Sequence, residues 1–178
     1  MTTLTQTVPR TLMEVYKMLP EGTRAELIDN ILYMSPSPIR NHQSVSMELG
    51  SNIHQYLKRN NFGEIFSAPF DVYLDETSNA VQPDLVVVLK NQLDIIHKNG
   101  HIHGVPAVLI EILSKGNKEH DLLRKKDLYE RFGVQEYHVV DPDTKLVLSF
   151  QLAGGIYGAA QEEIGKLSSI LLQAEFLF

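Results

Sequence analysis

An α/β fold, a central mixed sheet flanked by helices, is what the patterning of this chain predicts, and three observations carry it. Val81-Gln-Pro-Asp-Leu-Val-Val-Val-Leu89 and Pro106-Ala-Val-Leu-Ile-Glu-Ile-Leu113 are nearly continuous apolar runs rather than alternating ones, as strands covered on both faces are. Two stretches, about 39–60 and 118–132, repeat their apolar residues at helical spacing. Further strand-like runs lie between and after them, so strands and helices share one layered core.

In chain order, Thr11-Leu-Met-Glu-Val-Tyr-Lys-Met-Leu19 reads as a short helix capped by Thr11, with Pro20 beyond its end. Residues 25–34 form a hairpin pattern with Asp29-Asn30 as a two-residue turn. After the Ser35-Pro-Ser-Pro38 break, Val45, Leu49, Ile53, Tyr56 and Leu57 mark one face of a long helix. Residues 64–74 and 81–89 read as strands; 93–103 is ambiguous, with a turn at Asn99-Gly100. Residues 107–113 are a strand, and 118–132 a helix closed by Gly133. Residues 136–141 are the next strand, and Pro142-Asp143 turns the chain into an edge partner at 146–150. From Lys166 onward the pattern fits a strand or a short helix. No repeat, low-complexity tract or linker interrupts residues 1–178, so a single domain is expected.

Composition narrows the function classes. Over 178 residues, 43% hydrophobic and 21% charged content is that of a globular chain with a full core. No stretch has the length of a membrane span, and Met1-Thr-Thr-Leu-Thr-Gln lacks the basic start and apolar core of a leader. The absence of cysteine excludes disulfides and thiolate zinc sites and is compatible with a reducing cytoplasm. A formal charge of −6 argues against strong, unspecific phosphate binding over the whole surface. It leaves room for a local basic groove, because carboxylates gathered at a metal site count toward the same total.

The candidate chemistry begins with Asp84 and Glu111, two carboxylates inside the apolar runs. An ionised carboxylate there is costly unless a metal, a cation or hydrogen-bond donors compensate it. On a helix starting near 118, Leu122, Leu128, Tyr129 and Phe132 define one stripe, and Lys125 falls near its middle while Arg124 and Lys126 flank it. Lys125 is thus aimed at the sheet, with Glu111 its nearest anionic partner in sequence. The plainer alternatives are that Lys125 snorkels to water and that each carboxylate caps a strand end or pairs with an arginine. Together, the three residues are better explained as one site.

Two other clusters compete for attention. His101-Ile-His103, with His97 nearby, could bind zinc or copper or could be a solvated loop. Lys115, Lys118, Arg124, Lys126 and Arg131 could form a phosphate-facing rim, or simply the charged face of an exposed helix.

Pro83-Asp84, Glu111-Ile-Leu-Ser114, Asp121, Lys125, Tyr129, Gly133-Val-Gln-Glu-Tyr137 and Val140-Asp-Pro142, in this order, resemble the Uma-two family of predicted endonucleases, in the PD-(D/E)XK restriction-endonuclease-like superfamily. The similarity extends upstream to Glu26-Leu-Ile-Asp29, Met34-Ser-Pro-Ser-Pro38 and His42, so it spans about residues 10–150. It implies a restriction-endonuclease-like core with Asp84 and Glu111 on adjacent strands, holding Mg²⁺ or Mn²⁺ together with the Ile112 carbonyl. It also implies Lys125 as a relocated catalytic lysine, because the superfamily's usual lysine position is Leu113 here. Glu26 falls by analogy near the same cluster as a further catalytic candidate, and His42 at a position that contacts substrate phosphate or the acidic cluster. DNA is the implied substrate, and a homodimer the implied assembly. Asn30, Lys115-Gly116-Asn117 and His138 depart from the usual pattern. A fold kept as a binding module, or a hydrolase of small phosphoesters, uses the same residues differently.

Overall fold

The computed structural model describes residues 8–98, 100–114 and 120–178, and its first elements begin where the capping and turn signals place them. Helix α1 (Leu12–Lys17) has a capping box: the Thr11 hydroxyl accepts the Glu14 N–H, and the Glu14 carboxylate returns to the Thr11 N–H. Strands β1 (Ala25–Ile28) and β2 (Ile31–Met34) pair through Asp29 and Asn30, whose φ values of 48° and 63° suit a type I′ turn. Helix α2 (Arg40–Asn60) buries Val45, Leu49, Ile53 and Leu57 and ends at a left-handed Asn61.

Both long strands expected before residue 90 are broken, and proline breaks each of them. Strand β3 (Gly63–Ser67) stops before a cis Ala68-Pro69 bond, and β4 (Val72–Tyr73) joins a different sheet. Strand β5 (Ala80–Val81) is likewise separated from β6 (Leu85–Leu89) by Gln82-Pro83-Asp84. A proline offers no N–H to a ladder, so each becomes a corner where the chain changes sheets. A 3₁₀ turn over Lys90–Ile95 leads to β7 (Ile102–His103). Of the expected Asn99-Gly100 turn, Asn99 lies outside the described residues and Gly100 has the positive φ of 96° such a turn needs.

Strand β8 (Val108–Ile112) follows as expected. The predicted 118–132 helix begins instead as a π-helical segment, His120–Lys125, and becomes α-helical only in α3 (Lys126–Phe132), closed by left-handed Gly133. Then come β9 (Glu136–Val140), β10 (Leu146–Ala153), β11 (Ile156–Tyr157), β12 (Gln161–Ile164), β13 (Lys166–Ser169) and β14 (Ala174–Leu177). Far from being an edge, β10 has β9 on one side and both β11 and β12 on the other. The tail is the β13–β14 hairpin, fastened to α2 by Asn52 and Tyr56, which donate to the Leu177 and Leu172 carbonyls.

The main sheet runs β11-β10-β9-β8-β6-β3, with β12 also on β10; β8 and β9 are parallel and the other pairs antiparallel, so it is mixed. Strand alternation sorts its side chains. Leu85, Val87, Val108, Ile110 and Ile112 pack with α2 and the β13–β14 hairpin. Val86, Val88, Leu109 and Leu113 face Leu128 and Tyr129 of α3, together with Ile28, Val72 and Val81 of a second, five-stranded sheet ordered β2-β1-β5-β4-β7. That second sheet shares a side with α3, and the helical and strand patterns alone do not reveal it. Among the described residues no helix is long and apolar enough to cross a membrane.

One buried network resembles catalytic machinery and is structural. His138 Nδ1 lies 2.8 Å from Ser149 Oγ and its Nε2 3.4 Å from Glu136. Glu136 also accepts from the Ser169 hydroxyl and the Leu171 N–H at 2.6 and 2.8 Å. All four side chains involved are buried, and the network ties the β13–β14 turn to the main sheet. Burial by itself pushes the Glu136 pKa up, but the hydrogen bonds from His138, Ser169 and Leu171 outweigh it and hold the carboxyl below its ordinary range. Because the folded pKa is the lower one, this stabilisation is present above the ordinary glutamate pKa and lost as pH falls through the folded value. Glu136→Gln is therefore expected to cost about 1–3 kcal/mol at neutral pH and to flatten the fall of Tm below about pH 4.5. Thermal melts of both proteins from pH 7 to pH 3 would show it, and parallel curves would refute it.

Candidate functional site

Asp84 and Glu111 come together because of register. Leu85 pairs with Ile110 across the antiparallel β6–β8 ladder, so one further residue along that register places Asp84 opposite Glu111. Directly opposed side chains in such a pair start about 4.5–5.5 Å apart at Cβ. Glu111 also shares the α3-facing side of β8 with Leu109 and Leu113. Asp84 itself stands one residue before the strand, at the corner after Pro83. The same register sets Ile112 against Pro83, which has no N–H to give its carbonyl. The Ile112 N–H is taken instead by Asp84 Oδ2, at 2.7 Å.

Each carboxylate has a distinct partner set. His42, on the first turn of α2, brings Nε2 to 3.1 Å from Asp84 Oδ2. Lys125 Nζ lies 2.9 Å from both Glu111 Oε1 and Glu26 Oε1, so one ammonium bridges carboxylates from two different sheets. The Tyr129 hydroxyl donates to Glu111 Oε1 at 2.9 Å, and the Gln82 N–H to Glu26 Oε1 at 2.9 Å. Glu26, His42, Asp84, Glu111 and Lys125 are each no more than 7% exposed, yet all line one cavity of about 250 Å³ under the Ser35–Pro38 segment. Buried charges survive there because they are paired and hydrogen-bonded, and because the cavity reaches solvent.

Lys125 reaches this position by a route the even 100° helical stripe does not describe. It is the last residue of the π-helical segment, directly before α3. Counted from Lys125, Leu128, Tyr129 and Phe132 still lie at i+3, i+4 and i+7 and are buried or half-buried. The C-terminal half of the stripe therefore orients the lysine, and a π segment at such a place is a common functional irregularity.

The structure brings together Glu26, His42, Asp84, Glu111, Ile112 and Lys125, every residue singled out for the site. It adds the Tyr129 hydroxyl and the Gln82 N–H as donors to Glu111 and Glu26. Their signals were present: Tyr129 is four residues after Lys125 on one helical face, and Gln82 precedes the Pro-Asp pair. Arg24 is a third addition. It stands two residues before Glu26, on the same face as Glu26 if the strand is continued, and lines the same cavity.

The other clusters do not join the site. Arg124 lies over the Tyr33 ring, Lys126 near the Phe150 and Tyr157 rings, and Arg131 binds both oxygens of Asp29 in the hairpin turn. They form no common rim; Lys115, Lys118 and the Lys115-Gly116-Asn117 loop lie outside the described residues. His97 and His103 stack face to face, their ring centroids 4.0 Å apart, and His103 Nδ1 contacts Glu76. His101 instead faces Asp71 at 3.7 Å. Among the described residues no three His, Asp or Glu side chains converge as a ready-made metal-binding group.

Asp84 meets His42 and the Ile112 N–H through Oδ2, and Glu111 and the β6-facing edge of Ile112 stand beside it. Two carboxylates and a carbonyl are few ligands, which suits Mg²⁺, an ion that keeps several waters and binds through one or two carboxylates. The donor set fits.

Comparison with known proteins agrees with this geometry. A family model described as Uma2, putative restriction endonuclease, matches residues 12–175. No curated protein matches the chain. Among solved structures, a putative nuclease belonging to DUF820 from Anabaena variabilis ATCC 29413 superposes with a TM-score of 0.69. The match covers 86% of this chain and 84% of that one, at 21% sequence identity. The fold is restriction-endonuclease-like.

Proposed function

The chain belongs to the Uma2 family, and from that premise we propose that it is a divalent-metal-dependent DNA endonuclease, folded as one nuclease domain. The observation that carries the reading is the register that sets Asp84 against Glu111, with Lys125 delivered to Glu111 from the following helix. Asp84, Glu111 and the Ile112 carbonyl would hold Mg²⁺ or Mn²⁺. When bound, that ion lowers the pKa of a water and neutralises charge building on the phosphate.

The chain's own residues do the rest. His42 and the Ile112 N–H fix Asp84 through Oδ2, and Asp84 lines the cavity. His42, which lines the cavity, would also contact a substrate phosphate. Tyr129 and Lys125 fix Glu111. Lys125 places a positive charge at the buried end of the cavity, where it stabilises the pentacoordinate phosphate and orients the attacking water. Glu26 holds the lysine there and is positioned to move a proton. A cytoplasmic location and a homodimer complete the reading; sedimentation velocity measures the latter.

One observation favours the alternative of a binding module that has kept the fold. Lys125 already bridges Glu26 and Glu111, so the cluster is partly neutralised without any metal. Plasmid nicking separates the two readings. Supercoiled DNA incubated with wild type is expected to be nicked in Mg²⁺ or Mn²⁺ and left intact in EDTA, with activity restored on adding metal back. No cleavage of any DNA, single- or double-stranded, in either metal would favour the binding module.

A further inference from the structure

The candidate cavity has a neighbour, about 310 Å³, lying between α2 and β3, and the two share Arg24 and Asp84 in their walls. We propose that Arg24 grips the phosphate next to the one that is cut, and that this second cavity seats the nucleotide beyond it. The proposal rests on the nuclease reading and deepens it by giving the strand a path.

Three observations carry it. First, Arg24 is a half-buried guanidinium that makes no ion pair within 4.0 Å and no side-chain hydrogen bond among the described residues, and its Nε is buried without a partner. A buried N–H left unpaired is costly, so a native one calls for a partner. The planar fork of arginine matches a phosphate bidentately, which makes a phosphodiester a suitable partner. Second, Arg24 follows the same strand face as Glu26, so its head lies at the junction of the two cavities rather than on the outer surface. Third, the second cavity is lined for a nucleotide.

Gln43, Ser46, Met47 and His54 recur at i+3, i+4 and i+7 spacings along one face of α2, with Ile65 on the opposite wall. Hydroxyls, an amide and an imidazole can meet a sugar and its phosphates, while Met47 and Ile65 offer apolar surface to a base. Gly50 lies between them, where an added Cβ would stand 3.2 Å from Leu85 Cδ2, so the helix sits close on β6 and floors the cavity. Asp84 is the one carboxylate in that lining. In a chain of net charge −6, a cavity otherwise free of acidic groups and joined to an unpaired arginine is complementary to a polyanion.

The test is binding, separated from cleavage. Fluorescence anisotropy with a labelled 12-nucleotide single strand and its duplex is measured in EDTA and in Ca²⁺, at several salt concentrations. Arg24→Gln is expected to weaken Kd about tenfold or more and to reduce the salt slope by about one phosphate contact. Arg24→Lys, which keeps charge and stem but loses the fork, is expected to fall between. Ser46→Phe, filling the second cavity from the solvent side of α2, is expected to weaken binding with an unchanged Tm. Lys90→Ala, an exposed lysine at the opposite end of β6, serves as the charge control and should bind within about twofold of wild type.

Arg24→Gln or Ser46→Phe binding like wild type, in a protein that does cut DNA, would overturn the proposed path and leave the nuclease reading standing. A Lys90→Ala loss equal to that of Arg24→Gln would also overturn it, by reducing the effect to net charge. A wild type that neither binds nor cuts overturns both.

Discussion

Replacing Lys125 by methionine is expected to slow DNA cleavage by about 10²–10³-fold while leaving Mn²⁺ binding intact or tighter. The rate loss is the usual cost of removing one preorganised charge that stabilises a developing oxyanion. Metal binding should survive because Lys125 competes for Glu111 at 2.9 Å, and its removal leaves the carboxylate acidic cluster more attractive to a cation. Stability should suffer as well. Removing one partner of a buried ion pair typically costs about 3–5 kcal/mol, and here one ammonium serves two carboxylates. For a chain of this size that is a fall in Tm on the order of 10 °C. Single-turnover nicking below the variant's melting range, with calorimetric Mn²⁺ titration beside it, separates the chemical loss from the structural one. Cleavage at the wild-type rate would make Lys125 a structural tie only.

Asp84→Asn is expected to have the opposite profile: metal binding lost, fold kept. Asparagine retains a carbonyl oxygen that can accept from the Ile112 N–H and His42, now 2.7 and 3.1 Å from Asp84 Oδ2. Stability should therefore change little, within about 5 °C in Tm. The charge that would hold a divalent cation is gone, so calorimetry with Mn²⁺ should show no binding at the site, and cleavage should drop by at least about 10²-fold. Mn²⁺ binding of wild-type strength in this variant would remove Asp84 from the metal site. The two variants together divide the cluster into a part that holds the ion and a part that acts on the phosphate.

Much of this site is legible without coordinates because its elements obey local rules. The Thr11 cap, the Asp29-Asn30 turn, the long α2 stripe and Gly133 are each set by residues within a few positions of one another. The carboxylates declare themselves by their cost: Glu111 within an unbroken apolar run requires compensation wherever the strand lies. The lysine declares itself by its face, since Leu128, Tyr129 and Phe132 orient it even though the segment before it is π-helical.

Other features are decided only by contacts distant in sequence. Pro69 and Pro83 each break a run that reads as one strand, and which sheet receives each half depends on partners from β1, β7 and β8. The tail is placed by α2 and the buried Glu136 network, both far from it in sequence. Glu26 is drawn into the cluster by a second sheet that residue periodicity does not announce, and Arg24 comes with it to the junction of two cavities.

Which residues are costly to bury, and which face of each element they occupy, is set locally, because propensity, capping and periodicity act over a few residues. The packed core alone sets Asp84 across from Glu111, lets one lysine serve carboxylates from two sheets, and leaves Arg24 with no acidic partner among the described residues. Those facts depend on strand register and sheet order, which are chosen by the packing of the whole core and not by any one segment.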